Sequence, residues 1–244
     1  MKNKKNIIVT GASKGVGLKI TSTLLKENCR VYAISRTKSD ELIKISQKYK
    51  DDLEIIQYDL SDINNIDKVL FKDSIGFKNK IHGIVNNAAI AYDDIITNAD
   101  CNELLKSYTL NVMSPIMLSK YVIRHFLLHR IKGSIIFISS ISAHTGYKGL
   151  SMYASTKGAL ESFSKNCARE WGPRGIRSNC VVPGFMETAM SSSLTIDQKN
   201  RIYNRTCLKD ATSINSVSNT VSFLLSDNSC SITGQNIFVD NGTI

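Results

Sequence analysis

Short runs rich in Ile and Val alternate with longer amphipathic segments along the whole chain, and this alternation limits the possible fold most strongly. Several runs are nearly continuous in apolar residues, which is typical of parallel strands covered on both faces. We therefore expect an α/β fold, a doubly wound parallel sheet with helices on both faces and right-handed crossovers. The seven predicted strands are Asn6–Thr10, Arg30–Ile34, Leu53–Gln57, Ile81–Val85, Ser134–Ile138, Arg177–Val182 and Asn236–Val239.

Helical patterns fill the intervals between these strands. No linker, repeat or low-complexity tract interrupts the alternation, and 244 residues is an ordinary length for one α/β domain. We therefore predict a single domain over residues 1–244. The predicted helices are Gly15–Glu27, Ile63–Phe71, Pro115–Arg130, Met152–Trp171 and Ser216–Leu225.

The formal net charge is +10, and the basic residues are spread along the chain without a nucleic-acid-binding motif. Such a surface favours anionic ligands, and both a phosphorylated cofactor and an acidic carrier protein fit it. No apolar run approaches the roughly 18 residues that cross a bilayer. The apolar stretch 7–9 is shorter than a signal-peptide core of ~7–15 residues. We expect a cytoplasmic protein without nucleic-acid or membrane partners.

The six cysteines include no CxxC pair, and the four histidines show no metal-ligand spacing. His125 and His129 are four residues apart, but no glutamate accompanies them as in HExxH. We predict no metal site, and we expect the cysteines to be buried, reduced thiols.

A glycine-rich turn, "TGASKGVG", follows the first predicted strand and opens the first predicted helix. Gly11 permits a tight turn, Gly15 lets the backbone approach a pyrophosphate, and Gly17 allows the helix to pack close to the sheet. The start of the helix then offers free N–H groups to the phosphates. The spacing predicts a dinucleotide site. Its contacts in the turn are Gly11, Ala12, Ser13, Lys14, Gly15, Val16 and Gly17.

The second predicted strand runs into "ISRTKSDE", where a carboxylate would select the ribose hydroxyls of NAD. Arg36 stands there instead, and Lys14 of the glycine turn is a second cation suited to the 2′-phosphate of NADP. In the alternative, Arg36 is solvated and Asp40 or Glu41 reaches the ribose. Both acids have the position of first-turn residues of the next helix, so we predict NADP(H).

"YASTK" places Tyr153 and Lys157 four residues apart, hence on one face of a helix. By itself the pentapeptide is equally consistent with two amphipathic side chains on a solvated face.

The TGxxxGxG turn and the YxxxK motif together resemble the short-chain dehydrogenase/reductase family, from end to end of the chain. This resemblance implies a single-domain Rossmann fold whose cofactor-binding part covers about 1–135 and whose catalytic and substrate part covers about 136–244. The other matching segments are "YDLSD" with Asp59 and Leu60, "VNNAA" with Asn87, the helix with Asn111, "ISSISAHTG" with Ser140, "PGFMET" with Met186 and Thr188, and "ITGQNIFVDNG".

Three positions depart from the family pattern: Ala89 replaces the glycine of NNAG, Thr156 replaces the serine before the lysine, and Asn241 replaces the middle residue of DGG. Ala89 is the departure that could crowd the cofactor ribose.

The resemblance implies that Tyr153 is the general acid that protonates a carbonyl oxygen. A free phenol has a pKa near ~10, so we expect the nearby Lys157 ammonium to lower the pKa of Tyr153 and also to hold the nicotinamide ribose. Ser140 would hydrogen-bond the substrate oxygen, and Asn111 would anchor a water that connects Lys157 to solvent.

The remaining implied contacts are with the cofactor and the substrate. Asp59 and Leu60 would edge the adenine, Asn87 would contact the cofactor, and Met186 and Thr188 would touch the carboxamide. His144 and Tyr147 would line the substrate entrance, with His144 as a conceivable second acid, and residues 190–207 would form a lid.

Within the family, the chain is most similar to 3-oxoacyl-[acyl-carrier-protein] reductases, which implies a β-ketone tethered to an acidic carrier. Arg174 matches their carrier-binding arginine, and Arg130 and Lys132 are approximate counterparts of a second cation. Two alternatives stay open: a ketoreductase or alcohol dehydrogenase for a free sugar, steroid or polyketide-type ketone, and an NADP-binding protein without turnover. The resemblance also implies a homotetramer formed through helices 115–130 and 152–171 and the last strand.

Overall fold

The computed structural model describes residues 4–188 and 194–244. Within these ranges seven strands form one all-parallel sheet, which confirms the predicted fold class. The strands are β1 Asn6–Thr10, β2 Arg30–Ser35, β3 Leu53–Gln57, β4 Gly83–Asn86, β5 Ser134–Ile138, β6 Arg177–Pro183 and β7 Asn236–Val239.

The helices lie on both faces of the sheet. They are α1 Gly15–Lys26, α2 Asp40–Lys48, α3 Cys101–Tyr108, α4 Ser114–His129, α5 Ser142–Thr145, α6 Ser151–Trp171, α7 Ile196–Tyr203 and α8 Ile214–Leu225. Two segments with wider, π-helical turns occupy Asp67–Ser74 and Thr109–Met113. The sequence pattern did not predict α3 and α7 and marked only the start of α2. Each of the three is short and buries at most one side chain.

Alternate residues of the strands pack into two cores, one on each face of the sheet. In β1, Ile7 and Val9 belong to the core beneath α1 and α8, whereas Ile8 belongs to the core beneath α4 and α6. All three side chains are fully buried. This two-sided burial is the physical reason for the continuous apolar runs in the sequence.

The strand order is β3-β2-β1-β4-β5-β6-β7, so the direction of winding reverses between β1 and β4. In doubly wound sheets, ligands bind beyond the carboxyl ends of the strands at this reversal. Thr10 ends β1 and Asn86 ends β4, and the glycine turn and Asn87 follow them directly. The fold therefore creates a crevice where the sequence predicted a dinucleotide.

The expectation of buried cysteines is only partly correct. Cys167 and Cys180 are buried, but Cys101, Cys207 and Cys230 are exposed, and all the cysteines are free thiols. Across the described ranges no cluster of three or more His, Cys, Asp or Glu side chains is arranged to hold a metal ion. None of the helices in those ranges combines the length and apolarity that crossing a membrane requires.

Two of the three departures from the family pattern are explained by backbone conformation. Asn241 has φ +57° and is followed by Gly242 at φ +72°, so the chain makes two left-handed steps where the family has two glycines. Asparagine tolerates this conformation better than most residues. Its side-chain amide donates to the carbonyls of Asp210 at 3.0 Å and Ala211 at 3.1 Å. Ala89 is not among the residues with positive φ, so its methyl group costs no backbone strain.

We expect Asn241→Val to destabilise the protein more than Asn241→Gly. Both substitutions remove the two amide hydrogen bonds, but only valine is strained at positive φ, by about 1–2 kcal/mol. Urea unfolding measures the difference, and equal free energies of unfolding for the two variants would contradict the assignment of strain to this position.

Candidate active site

The glycine turn has close backbone approaches at Gly11 and Gly17. Gly11 has φ +65° and Gly15 has φ +55°. A Cβ atom at Gly17 would lie 2.2 Å from the carbonyl oxygen of Gly11, so only glycine lets α1 start this close to the turn. The turn is therefore shaped by backbone contacts that any larger residue at position 17 would disrupt.

The start of α1 is open to an anion. Its N-cap residue, Lys14, makes no side-chain capping bond, and the first turn contains no acidic residue. The first N–H groups of a helix have no partner within the helix. Together with the positive end of the helix dipole and the Lys14 ammonium, these groups fit the pyrophosphate of a dinucleotide.

The other predicted residues of the turn have supporting positions. The Ala12 side chain is fully buried, and Val16 packs against the core beneath α1. The carbonyl of Ser13 accepts a hydrogen bond from Ser39, which is the N-cap residue of α2. The Ser39 hydroxyl thus ties the glycine turn to the loop that carries Arg36.

Asn87 braces the turn from the neighbouring strand. Its side-chain amide donates to the carbonyl of Thr10 at 2.9 Å and to that of Gly11 at 3.3 Å. The Thr10 hydroxyl in turn accepts the backbone N–H groups of Asn87 at 2.9 Å and Ala88 at 3.0 Å. These bonds join the segments that follow β1 and β4. They give Asn87 a structural role in addition to its predicted cofactor contact.

Arg36 is exposed at the end of β2. Asp40 and Glu41 lie in the first turn of α2, as expected, where their charges favour the helix N-terminus. After β3, Asp59 is exposed and caps the N–H of Ser61 at 2.9 Å. The side chain of Leu60 is only 5% exposed and belongs to the core, so any adenine contact would use its surface rim or backbone.

The structure brings Ser140, Tyr153 and Lys157 together beyond the carboxyl end of β5. Ser140 follows β5, and its hydroxyl hydrogen-bonds the Tyr153 phenol. The Lys157 ammonium lies 5.5 Å from the centre of the Tyr153 ring and donates to the carbonyl of Ile138 at 2.9 Å. The phenol and the ammonium therefore share one face of α6, where Lys157 is buried and Tyr153 is partly buried.

The pKa of Tyr153 differs from the expectation. Burial, with a smaller contribution from the Asp93 carboxylate, raises the pKa of Tyr153 to about 12, and the Ser140 hydrogen bond opposes that rise. Burial lowers the pKa of Lys157 to about 8. The predicted lowering of the Tyr153 pKa by Lys157 is wrong: desolvation is the largest influence on this pKa, and it raises it. At neutral pH the phenol is protonated.

Asn111 is fully buried in the π-helical segment between α3 and α4. Its amide oxygen accepts the N–H of Ile90 at 2.9 Å, and its amide nitrogen donates to the carbonyl of Ile90 at 2.9 Å and to the Thr156 hydroxyl at 3.2 Å. The Thr156 hydroxyl donates to the carbonyl of Tyr153 at 2.7 Å. Thr156, the departure from the usual serine, thus links Asn111 to α6, and the water relay stays a prediction.

His144 and Tyr147 follow Ser140 but have other contacts. The Nε2 atom of His144 lies 2.9 Å from a carboxylate oxygen of Glu161, a buried residue of α6. This contact gives the imidazole a partner other than a substrate. Tyr147 packs, partly buried, against the core beneath α6. A substrate contact for either residue remains a prediction.

Sequence reasoning missed Glu161. The signal was its spacing, four residues beyond Lys157 on the same helical face.

The segment after β6 carries the predicted carboxamide contacts. Met186 packs against the core beneath α1, and Glu187 accepts hydrogen bonds from the Tyr203 phenol at 2.7 Å and Lys199 at 3.1 Å. Thr188 is partly buried. Of the predicted lid, 190–207, residues 190–193 lie outside the described residues, and α7 occupies part of the remainder.

The three cations proposed to bind a carrier protein lie near the amino ends of the strands, whereas Tyr153 lies near their carboxyl ends. Arg174 follows the last turn of α6, Arg130 ends α4, and the aliphatic part of Lys132 packs on Gly175. From Tyr153 to the end of α6 is about 27 Å at the helical rise of 1.5 Å per residue. Within one subunit, these cations do not border the reacting groups.

With this geometry established, comparisons identify relatives along the whole chain. A family model described as enoyl-(acyl carrier protein) reductase matches residues 11–243. Carbonyl reductase [NADPH] 2 of Sus scrofa is 35% identical over 96% of this chain and 94% of its own length. The chain belongs to the short-chain dehydrogenase/reductase family. As a member of this family it is an oxidoreductase that uses a nicotinamide dinucleotide.

The names of two further relatives give different activities. L-xylulose reductase of Caenorhabditis elegans is 34% identical over 98% of this chain and 95% of its own length. The 3-oxoacyl-[acyl-carrier-protein] reductase of Escherichia coli is 33% identical over 98% and 96%. Among solved structures, a 4-hydroxyisoleucine dehydrogenase complexed with NADH has a TM-score of 0.91 at 25% identity, covering 98% of each chain. The family relationship therefore leaves several substrate classes open.

Proposed function

We propose that the protein uses NADPH to reduce a ketone to a secondary alcohol. One observation carries the proposal: a phenol, kept protonated by burial and contacted by the Ser140 hydroxyl, lies at the same carboxyl edge of the sheet as an uncapped helix start. Bound NADPH supplies the hydride. Tyr153 then supplies the proton to the carbonyl oxygen, and Ser140 donates a hydrogen bond to that oxygen.

The raised pKa of Tyr153 keeps the phenol protonated, which is the state that a proton donor needs. A proton donor must be protonated at working pH, and a phenol with a pKa of about 12 meets that condition across the neutral range. Lys157 remains largely charged below its pKa of about 8 and stabilises the negative charge that develops on Tyr153 as the proton leaves. The pair is thus arranged as an acid and its electrostatic support.

Arg36 and Lys14 support the choice of NADPH over NADH. Both are exposed and belong to loops that the Ser39–Ser13 hydrogen bond joins, so they can approach one phosphate from two sides. The alternative ribose-binding acids, Asp40 and Glu41, are held in the first turn of α2.

For the ketone, one candidate is a 3-oxoacyl thioester on an acyl carrier protein, which would place the protein in fatty acid biosynthesis in the cytoplasm. The Escherichia coli relative, the net charge of +10 and the Arg174–Lys132 cluster support it. Because that cluster is about 27 Å from Tyr153 along α6, a carrier docked there would have to serve another subunit. This candidate therefore requires the predicted homotetramer.

The second candidate is a ketone on a free small molecule. The carbonyl reductase and L-xylulose reductase relatives support it. The separation of the basic cluster from Tyr153 within one subunit also supports it, since a free ketone needs no docking surface.

We expect Tyr153→Phe to lower kcat by roughly 100-fold to 10,000-fold, the usual contribution of general acid catalysis, without weakening NADPH binding. Loss of NADPH absorbance measures kcat, and fluorescence titration measures the dissociation constant of the cofactor. A variant that retains most of its rate would rule out the phenol as proton donor. Absence of turnover in the unmodified protein, with every ketone tested, would favour the NADP-binding alternative.

Arg36→Asp should raise KM for NADPH by roughly 10-fold to 100-fold through loss of a charged hydrogen bond, and it should leave or lower KM for NADH. Lys165→Asp, an equal charge reversal at an exposed position of α6, is the matched control and should change neither value. Equal losses with both cofactors would show that Arg36 does not read the 2′-phosphate.

The two ketone candidates differ in their response to Arg174→Glu. For a carrier-bound substrate, this variant should raise KM for the 3-oxoacyl carrier thioester but not for the same acyl group on coenzyme A, and light scattering should show a tetramer. For a free ketone, kcat/KM should be higher with small ketones than with either thioester and insensitive to Arg174. A monomer that prefers the carrier thioester would contradict the docking geometry.

A further inference from the structure

Three side chains of α6, spaced four residues apart on one face, contact three consecutive residues at the end of β5. Two of these contacts belong to the acid–base pair already described, and the third extends the same row one helical turn further from the reacting groups. The contacts are Tyr153 with Ser140, Lys157 with Ile138 and Glu161 with Ser139.

The Glu161 carboxylate is buried, with 8% of the residue exposed, yet it is fully partnered. It accepts hydrogen bonds from the Ser139 hydroxyl, from Nε2 of His144 at 2.9 Å and from the side-chain amide of Asn236 at 2.7 Å. Beside a carboxylate, Nε2 of the imidazole acts as an N–H donor. A buried carboxylate is costly unless several donors converge on it, so these contacts hold three separate elements in one arrangement.

Two of the three donors flank Ser140 in the sequence. Ser139 precedes it directly, and His144 follows four residues later in α5. The His144 ring also packs edge-on against Phe238 of β7, with 4.9 Å between the ring centres. The loop that presents the Ser140 hydroxyl is thus tied at both ends to one carboxylate.

We propose that Glu161 is a positioning residue that holds Ser140 against the Tyr153 phenol. The inference rests on the proposed function, because it assigns to Glu161 an effect on ketone reduction exerted through Ser140. The negative charge is essential to the role. Glutamine has one acceptor oxygen in place of two, and its NH₂ group would face other donors.

We expect Glu161→Gln to lower kcat roughly 10-fold, part of the 100-fold or greater loss that removing an oxyanion donor such as Ser140 causes. KM for the ketone and the affinity for NADPH should change little. Glu161→Asp, which keeps the carboxylate, should recover part of the rate. Glu170→Gln, the same substitution at an exposed position of α6, is the matched control and should leave kcat unchanged.

A double-mutant cycle separates action through Ser140 from a general structural defect. In a Ser140→Ala background, Glu161→Gln should cause no further loss of kcat, because the group it positions is gone. Additive losses, or an unchanged kcat in the single variant, would overturn the proposal. If Glu161→Gln does not fold, Ser139→Ala replaces it, because this variant removes the hydrogen bond between Ser139 and Glu161. The same double-mutant cycle with Ser140→Ala then applies, and additive losses or an unchanged kcat would again overturn the proposal.

A readout without turnover keeps this test separate from the proposed function. The backbone N–H of Ser142 donates to the Ser140 hydroxyl at 3.2 Å, so hydrogen exchange of the 139–145 peptide reports how firmly the loop is held. Faster exchange in Glu161→Gln than in Glu170→Gln supports positioning even if no ketone is reduced. Equal exchange in the two variants overturns it, whatever the activity.

Discussion

The packing of α6 across the carboxyl end of β5 is the contact on which the site depends. The Lys157 ammonium donates to the carbonyl of Ile138 in a fully buried position, so the helix cannot rotate without leaving a charge and a carbonyl unpaired. That constraint fixes the orientation of Tyr153, one turn earlier on the same face. The end of β5 then brings Ser140 to the phenol.

Burial has opposite effects on the two ionisable partners, and both effects favour the neutral form. The pKa of the phenol is raised and that of the ammonium is lowered. A site built only to stabilise a phenolate would show the reverse for tyrosine. With these shifts, the phenol is a proton donor, and the neighbouring ammonium loses its proton more easily than that of an ordinary lysine. This arrangement agrees with carbonyl reduction.

Most of the sheet could be predicted because two-sided burial demands continuous apolar residues, as in Ile7, Ile8 and Val9 of β1. Helices α2, α3 and α7 could not be predicted in this way, since each of them buries at most one side chain. In the site, Gly17 was predictable because a Cβ there would meet the backbone of Gly11. For Glu161, the spacing from Lys157 indicated only a shared helical face, because its partners Ser139 and Asn236 are distant in sequence and meet it only in the folded protein.

By itself, the sequence determined the strand–turn–helix order, the glycine turn and the spacing of Tyr153 and Lys157, because each depends on local geometry: a period, a φ angle or a helical turn. Only the tertiary structure decided which way those side chains face and how strongly burial shifts their pKa values. These properties depend on desolvation and on contacts between distant segments, which arise only when the sheet and its helices are assembled.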